Sequence, residues 1–327
     1  MSKLIVIVGV TGLQGSSVAN TFLNLPGWKV RGISRNPSSP TAQALISKGA
    51  EIIQADLDDE KSLYPAFESA NVIFSNTDFF GIFFHALMSK NDSPQQYAYD
   101  REVEQGINIA RAAASPTVLR TLDRFVLSSL SDARKWSQGK YPNVYHNNSK
   151  IEIIQTIETQ FPELAERMSM VQVGHYATNW KQSPSLAPQK QSDGSFIVKR
   201  TFTSDFKMPF VVPHKDTGEF VRALTLDLPA GTHILGASEI LTLPEWTKIW
   251  AETLGVKAVF EQVTFDIFFQ GVPDEMKREL SETFAYTNEF GYTGGDPAIK
   301  TAEQLGIKLS LTSMEEYIKG EDWSSVL

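Results

Sequence analysis

The stretch that most constrains the fold lies near the N-terminus, where an apolar strand runs into a glycine-rich turn and then into a helical pattern. Residues 4–15 read LIVIVGVTGLQG, with glycines at positions 9, 12 and 15. The first two glycines let the backbone approach a pyrophosphate, and the third lets the helix pack closely on the sheet. The pattern predicts a dinucleotide-binding site, and a glycine turn without a ligand is the alternative.

The candidate residues for binding the pyrophosphate lie within this turn and the first turn of the helix. Amides at the N-terminus of a helix point toward a bound phosphate, so we expect the cofactor to contact this segment. The candidate residues are Gly9, Thr11, Gly12, Leu13, Gln14 and Gly15.

Strand and helix patterns alternate from the glycine turn to Gly174. Strands are expected at 28–34, 50–55, 71–76, 124–130 and 168–174, and helices at 16–25, 40–49, 59–70, 95–114 and 144–160. Because crossovers of this length return the chain in the same direction, the alternation predicts an α/β fold with a doubly wound, mainly parallel sheet.

The regular alternation ends after Gly174. Short strands are expected around 196–203 and 210–212, and helices near 216–227, 242–254, 265–289 and 313–319. We therefore expect a dinucleotide-binding domain at 1–174 and a smaller C-terminal α+β lobe at 175–327, with some segments of the lobe returning to the first domain. The lobe should cover the carboxyl edge of the sheet, where ligands bind in such folds.

Composition excludes several classes of function. The chain has 327 residues and 42% hydrophobic content, enough for a large core. Its formal net charge of −8 and the lack of a basic block argue against direct binding of nucleic acid. It contains no cysteine, which excludes disulfides, thiolate nucleophiles and cysteine-bound metals. The histidine spacing indicates no metal site.

The chain has no apolar run long enough to cross a membrane, and the first strand begins at the N-terminus, which leaves no room for a signal peptide. We therefore expect a cytoplasmic protein, with the nucleus as a second compartment, and no membrane partner. Both a monomer and a dimer fit the sequence.

The residue that follows the second strand indicates which dinucleotide is bound. An NAD site usually has an acidic residue there to bind the ribose 2′-hydroxyl, whereas this chain has Arg35. A guanidinium suits a 2′-phosphate, so NADP(H) is the expected cofactor, with Asn36, Ser38 and Ser39 nearby. A solvated arginine at the end of a strand is the alternative.

Two further strand ends supply candidate cofactor contacts. Asp56 and Leu57 follow the third strand and are expected near the adenine, although Asp56 could instead cap a helix. Asn76 and Thr77 follow the fourth strand and place small polar groups at the carboxyl edge of the sheet.

Several motifs together resemble the NmrA-like family of atypical short-chain dehydrogenase/reductases. They are the three glycines, Ser-Arg-Asn at 34–36, Ala-Asp-Leu at 55–57, Ser128-Ser129, Lys150 and GHYATNW at 174–180. The resemblance covers nearly the whole chain. It implies a Rossmann domain that binds NADP(H), a small variable lobe, and one of two functions: a reductase, or a redox-sensing regulator that binds the dinucleotide without turning it over.

The catalytic residues depart from the wider superfamily, whose members use Tyr-x-x-x-Lys on a helix. Here His146 stands four residues before Lys150. Tyr145, five residues before the lysine, is rotated from it by about 140° and points elsewhere. The resemblance implies that Lys150 binds the nicotinamide ribose. His146 is then a candidate proton donor, because imidazole titrates near neutral pH.

The resemblance also implies a substrate-orienting serine at the end of the fifth strand. Ser128 and Ser129 alternate in direction, so only one of them can serve. Tyr176 and Asn179 are expected to line the nicotinamide pocket, together with His175. Aromatic segments at 79–85 and 265–269 form core, a pocket wall or a partner interface, and the first is expected within a long connection.

Two functions follow from these residues. The first is NADPH-dependent reduction of a carbonyl, imine or activated alkene in a small hydrophobic molecule. The second is a non-catalytic NADP(H) sensor that regulates a protein partner such as a transcription factor, with the acidic surface recognising a basic partner. The missing tyrosine favours the sensor, and the retained lysine favours the reductase.

Overall fold

The computed structural model describes residues 2–182 and 184–327. Its first half alternates strands with helices. In chain order these are β1 (Lys3–Ile7), α1 (Leu13–Leu23), β2 (Trp28–Ser34), α2 (Pro40–Ser47), β3 (Glu51–Gln54), α3 (Glu60–Phe67), β4 (Val72–Ser75), α4 (Phe79–Met88), α5 (Pro94–Ala113), α6 (Pro116–Leu119), β5 (Arg124–Ser129), α7 (Ala133–Trp136), α8 (Tyr145–Gln160), α9 (Pro162–Ala165) and β6 (Met168–Val173).

The second half is less regular and contains two short 3-10 helices, Asn179–Lys181 and Pro184–Leu186. Its other elements are β7 (His175–Tyr176), β8 (Gln189–Lys190), β9 (Phe196–Arg200), β10 (Lys207–Val211), α10 (Pro213–Leu226), β11 (His233–Gly236), β12 (Glu239–Thr242), α11 (Leu243–Leu254), β13 (Ala258–Gln262), α12 (Phe265–Phe268), α13 (Asp274–Phe290), β14 (Ile299–Lys300) and α14 (Met314–Gly320).

An eight-stranded sheet forms the centre, in the order β14-β11-β6-β5-β4-β1-β2-β3. Every pairing in it is parallel. Helices cover both faces, where they bury two separate apolar clusters. The predicted doubly wound α/β fold is confirmed. The strand order reverses between β1 and β4, the point at which ligands bind in open parallel sheets.

Segments beyond Gly174 join this sheet as well as the smaller lobe. Strand β11 pairs with β6, β14 pairs with β11, and α10 packs on α1. Two three-stranded sheets, β12-β10-β7 and β13-β9-β8, lie outside the central sheet. They pack with α11 and α14 around a cluster that contains Trp180, Trp246, Trp250 and Trp323. The domain boundary at Gly174 stays a prediction.

Three expectations about single elements are wrong. Helix α1 begins at Leu13 rather than at position 16, since Gly12 is already its N-cap. The segment 79–85 belongs to helix α4, capped by Asp78, which accepts a hydrogen bond from Gly81 N at 3.0 Å. The expected helix at 265–289 is interrupted between α12 and α13, where Gly271 has a φ of +78° and Pro273 precedes the second helix.

Candidate functional site

The glycine turn after β1 is built for close backbone approach. Gly9 has a φ of +67°, and its carbonyl accepts a hydrogen bond from Gly12 N at 2.9 Å. A Cβ on Gly15 would lie 2.2 Å from the Gly9 carbonyl oxygen, so no side chain fits at this position. The turn thus holds α1 against the end of β1, with no side chain between them.

The N-terminus of α1 has no capping side chain, and its first turn has no acidic residue. Its free amides and the positive end of the helix dipole are therefore available to an anion. Leu13 is exposed and Thr11 is half-buried. Gln14 is buried and donates from Nε2 to the Tyr176 hydroxyl at 2.7 Å, while its Oε1 lacks a partner in the described chain.

Tyr176 links the glycine turn to the C-terminal half of the chain. It lies in β7, and burial raises the pKa of its hydroxyl to about 12. The group therefore stays protonated at neutral pH. Asn179 follows in a 3-10 helix, where its carbonyl accepts a hydrogen bond from Gln182 N at 3.0 Å. Tyr176 and Gln14, two separately predicted cofactor residues, are thus in direct contact.

Arg35 stands directly after β2, beside the glycine turn, because β2 is the neighbour of β1. It is exposed and forms no ion pair with any residue that the structure describes. The other arginine of this strand, Arg31, is bound to Glu51 at 2.7 Å. Arg35 is therefore a free guanidinium at the carboxyl edge of the sheet.

Asp56 and Leu57 follow β3 at the same edge. The Asp56 carboxylate accepts a hydrogen bond from Asp58 N at 3.1 Å, and Asp59, not Asp56, caps helix α3. The alternative role of Asp56 as a helix cap is therefore wrong. The Leu57 carbonyl accepts from Asn108 Nδ2 at 2.9 Å, which ties this loop to α5.

The turn after β4 meets the glycine turn on one side and Lys150 on the other. A Cβ built on Gly9 would lie 3.8 Å from Asn76 Nδ2. The next residue, Thr77, accepts hydrogen bonds from Lys150 Nζ at 2.7 Å through its hydroxyl and at 3.1 Å through its carbonyl. A continuous line of contacts therefore crosses the sheet edge and is formed by Gly9, Asn76, Thr77 and Lys150.

Lys150 is also paired with Glu102 of α5, a fully buried carboxylate. The other oxygen of Glu102 accepts a hydrogen bond from Ser149. An ammonium has three N–H donors, and all three bind Thr77 or Glu102 here. A hydrogen bond from Lys150 to a ribose requires that one of these acceptors be exchanged or shared.

His146 is bound to a second buried carboxylate, Glu279 of α13. Its Nδ1 lies 2.6 Å from Glu279 Oε1, and the same oxygen accepts from the His146 amide at 3.2 Å. Glu279 is fully buried, and its Oε2 has no partner in the described chain. With Nδ1 engaged by the carboxylate, Nε2 is the ring nitrogen left to exchange a proton.

Aromatic side chains of α4 surround the His146 ring. The rings of Phe80 and Phe79 lie 5.0 and 6.0 Å from it, measured between centroids. Phe79 and Phe83 are buried in a cluster with Ala98, whereas Phe80 is only partly buried. This segment therefore supplies both core and one wall beside His146. Tyr145 contacts Tyr99 of α5, with ring centroids 6.3 Å apart.

Ser128 and Ser129 are both buried at the end of β5. Within the described chain, neither hydroxyl forms a hydrogen bond with Lys150 or His146. Ser131, two residues later, contacts the Tyr286 hydroxyl at 2.5 Å, and its carbonyl accepts from Asn147 Nδ2 at 2.8 Å. Ser131 thus anchors α8, the helix that carries His146 and Lys150.

Sequence reasoning missed Glu102 and Glu279, the carboxylates that hold the two candidate catalytic side chains. Each joins its partner only through the fold, at separations of 48 and 133 residues. No group of three metal-binding side chains occurs within 2–182 and 184–327. In the same residues, no helix is both long and apolar enough to cross a membrane.

A model of the NmrA-like family matches residues 1–318. The chain belongs to the NmrA-like family. The oxidoreductase hkm9 of Aspergillus hancockii, which has an NmrA-like family domain, is 30% identical over 313 residues, covering 91% of this chain and 87% of that protein. Family membership thus extends across both halves of the structure.

Two solved structures share the fold. NmrA, a negative transcriptional regulator, in complex with NADP has a TM-score of 0.72 at 18% identity, covering 98% of this chain and 95% of its own. The NADPH-dependent quinone oxidoreductase QOR2 of Escherichia coli, complexed with NADPH, has a TM-score of 0.64 at 19% identity, covering 96% and 98%. At these identities they bear on the fold alone.

Proposed function

We propose that this NmrA-like protein is an NADPH-dependent reductase that acts on a carbonyl, imine or activated alkene of a small hydrophobic molecule. The pair formed by His146 and the buried Glu279 carries the proposal, because it positions an acid-base group beside an aromatic wall. The oxidoreductase name of hkm9 and the NADPH complex of QOR2 support the same class of reaction.

The residues of the glycine turn fit a dinucleotide. The space at Gly15 admits no Cβ, the amides of α1 are uncapped, and Gln14 Oε1 is a buried oxygen without a partner. Arg35 is free of any carboxylate and suits a 2′-phosphate, which favours NADP(H) over NAD(H). Asp56 and Leu57 would border the adenine, and Asn76, Tyr176 and Asn179 the nicotinamide end.

NADPH, when bound, supplies a hydride to the substrate carbon, and the protein must supply the matching proton. His146 delivers this proton from Nε2, while Glu279 fixes the ring through Nδ1. Phe79 and Phe80 exclude water beside the ring and pack against an apolar substrate. A general acid in this position accelerates such a step by about 10² to 10⁴.

Lys150 and Thr77 act together at the nicotinamide end. Their hydrogen bond at 2.7 Å holds the turn after β4 against α8. Exchange of the Thr77 hydroxyl for a ribose hydroxyl would let Lys150 bind the cofactor while Glu102 keeps the ammonium paired. Ser128 or Ser129 would orient the substrate from the end of β5, as the family resemblance implies.

The test is oxidation of NADPH by the purified full chain with a panel of quinones, aldehydes, imines and activated alkenes. Turnover of at least one class is expected. His146→Gln should lower kcat about 100-fold with NADPH binding unchanged in a titration. Glu279→Gln should also lower kcat, because a neutral amide holds the His146 ring less strongly than the carboxylate does.

His85→Gln is the matched control, since His85 is an exposed histidine of α4 and should leave kcat unchanged. If His146→Gln and His85→Gln behave alike on a substrate that is turned over, His146 is not the proton donor. If NADPH binds tightly but no class of substrate is reduced, the reductase proposal fails. That result would support the alternative function, a non-catalytic NADP(H) sensor, which is consistent with the regulator NmrA.

A further inference from the structure

A narrow pocket lies beside Tyr176. It is formed where β7, β9, β10 and α11 meet, and its walls include Trp180, Phe210 and Trp246. Tyr176 contributes to this pocket and also binds Gln14 at 2.7 Å. Tyr176 therefore borders both the pocket and the candidate cofactor site.

Arg200, the last residue of β9, is the charged group in this pocket and is only 8% exposed. Its guanidinium donates to the carbonyls of Leu186 at 2.6 Å, Lys199 at 2.7 Å and Ser185 at 3.4 Å. These bonds use three of its five N–H groups. Burial lowers the pKa of Arg200 to about 10, so the group stays charged at neutral pH.

No carboxylate compensates this charge. Arg200 forms no ion pair with any residue in the described parts of the chain, and neither Asp nor Glu lines the pocket. Buried arginines are normally paired, because removing an ion from water costs several kcal/mol. Lys150, the other buried cation among the described residues, follows that rule and is paired with Glu102.

The pocket is lined by hydrogen-bond donors that have no partner among the described residues. Besides the two free N–H groups of Arg200, Trp246 Nε1 is buried and lacks a partner in the described chain. Burial lowers the pKa of the neighbouring His175 to about 3, so its ring adds no second positive charge at neutral pH. One cation and one free donor face an apolar enclosure, which is the environment that recognises a small anion.

We propose that this pocket binds a carboxylate of the substrate through Arg200 and Trp246, so that the substrate is an aromatic or hydrophobic acid. The inference rests on the reductase function and names its substrate class. The free space beside Arg200 is narrow and suits one small anionic group rather than a whole ring. The body of the substrate would extend past Tyr176 toward the nicotinamide end.

Calorimetric titration of the full chain saturated with NADP⁺ tests the pocket without requiring turnover. The probes are cinnamate and cinnamamide, which share a ring and an alkene but differ in charge. The wild type should bind cinnamate at least about tenfold more tightly, as a charge-assisted bidentate contact predicts. Arg200→Gln should abolish this preference, and Arg200→Lys should retain part of it.

Arg124→Gln is the matched control, because Arg124 also donates to a backbone carbonyl, that of Leu228 at 3.2 Å, far from the pocket in the central sheet. It should keep the full preference for cinnamate.

Where Arg200→Gln fails to bind NADP⁺ and has lost its fold, Trp246→Phe serves instead. It removes one donor and keeps an aromatic ring, so it should weaken cinnamate more than cinnamamide.

The inference is overturned if the wild type binds both probes equally or binds neither, or if the preference for cinnamate persists in Arg200→Gln. Equal weakening of both probes in the Arg200 and Trp246 variants would show that these side chains only support the lobe. Reduction of neutral substrates without any preference for acids would leave the reductase standing and remove the carboxylate site. Binding of cinnamate without turnover of any substrate would support the carboxylate site and contradict the reductase function.

Discussion

At the scale of single residues, buried carboxylates distinguish side chains with a functional role from those that only support the fold. Glu102 and Glu279 are both fully buried, and they contact the Lys150 and His146 side chains of α8. An unpaired oxygen such as Glu279 Oε2 lowers stability, and natural proteins retain such groups where activity requires them. The two carboxylates thus mark the face of α8 at which chemistry would occur.

The choice between NADPH and NADH is argued at the same scale, from Arg35. Replacing Arg35 by Asp should weaken NADPH far more than NADH, because a carboxylate repels the 2′-phosphate. Loss of a charge-assisted bond costs about 1.5 to 3 kcal/mol, or about one to two orders of magnitude in Kd. Fluorescence titration with each dinucleotide measures the two losses.

Lys29→Asp controls for the change in net charge, since Lys29 is an exposed cation of the same strand at its opposite end. It should leave both dissociation constants within about twofold, because screened charges at this separation interact weakly. Equal weakening of NADPH and NADH by Arg35→Asp would show that Arg35 does not contact the 2′-phosphate.

Sequence alone singles out candidate residues whose position depends on local structure. The glycine turn, Arg35 and Thr77 follow strand ends, and the edge of a parallel sheet brings such ends together. Glu279 could not be found in this way, because its contact with His146 spans 133 residues and α13 carries other carboxylates with no distinguishing pattern. Long-range pairing leaves no periodic signal in a sequence.

At the scale of elements, the helix that would cradle the cofactor is held by a helix from the C-terminal half. Helix α10 packs on α1, and Gly218 N donates to the Ser17 hydroxyl at 2.9 Å. A Cβ on Gly218 would lie 2.1 Å from Thr21 Oγ1 and 2.6 Å from the Ser17 carbonyl oxygen. The absence of a side chain at Gly218 thus sets the distance between the two helices.

Gly218→Ala should therefore destabilise the protein by about 1 to 3 kcal/mol, the usual cost of overpacking. NADPH binding should weaken with it, because α1 must shift. Gly320→Ala, at the last residue of α14, provides the comparison without overpacking, since a Cβ there meets no atom within 4 Å, and it should not destabilise the protein. Urea unfolding measures the free energy of unfolding of both variants. If the two variants are equally stable, the contact between α1 and α10 is looser than these distances indicate.

Element prediction succeeded where the pattern was long or ended at clear signals. Strand β2 was expected at 28–34 and occupies Trp28–Ser34, between Pro26-Gly27 and a polar loop. Strands β11 and β14, which extend the sheet, have four and two residues and were not expected. With two residues, β14 carries too little alternation to be recognised. Strand β11 is as long as β3 and β4 but lies beyond the regular alternation of strands and helices, and only pairing with β6 makes it a strand.

At the scale of the whole molecule, stability should fall as the solution becomes acidic. Burial lowers the pKa of His175 to about 3, and it also lowers the pKa values of His214 and His233. In the unfolded chain these groups titrate near 6.5. Below that pH the unfolded state binds protons that the folded state does not, so the free energy of unfolding decreases as pH falls toward the folded-state values.

Urea unfolding between about pH 7.5 and about pH 5.5 should thus show a loss of stability that begins near pH 6.5, with a slope of about 1.4 kcal/mol per pH unit for each additional proton bound. His175→Asn should reduce this slope, because it removes the group with the pKa of about 3, whatever it does to stability at neutral pH.

His85→Gln changes an exposed histidine and should leave the slope as it is. Burial of Asp216 raises the pKa of its carboxyl and so acts in the opposite direction. A slope that is the same in the wild type and in His175→Asn would mean that His175 is protonated as easily in the folded protein as in the unfolded chain.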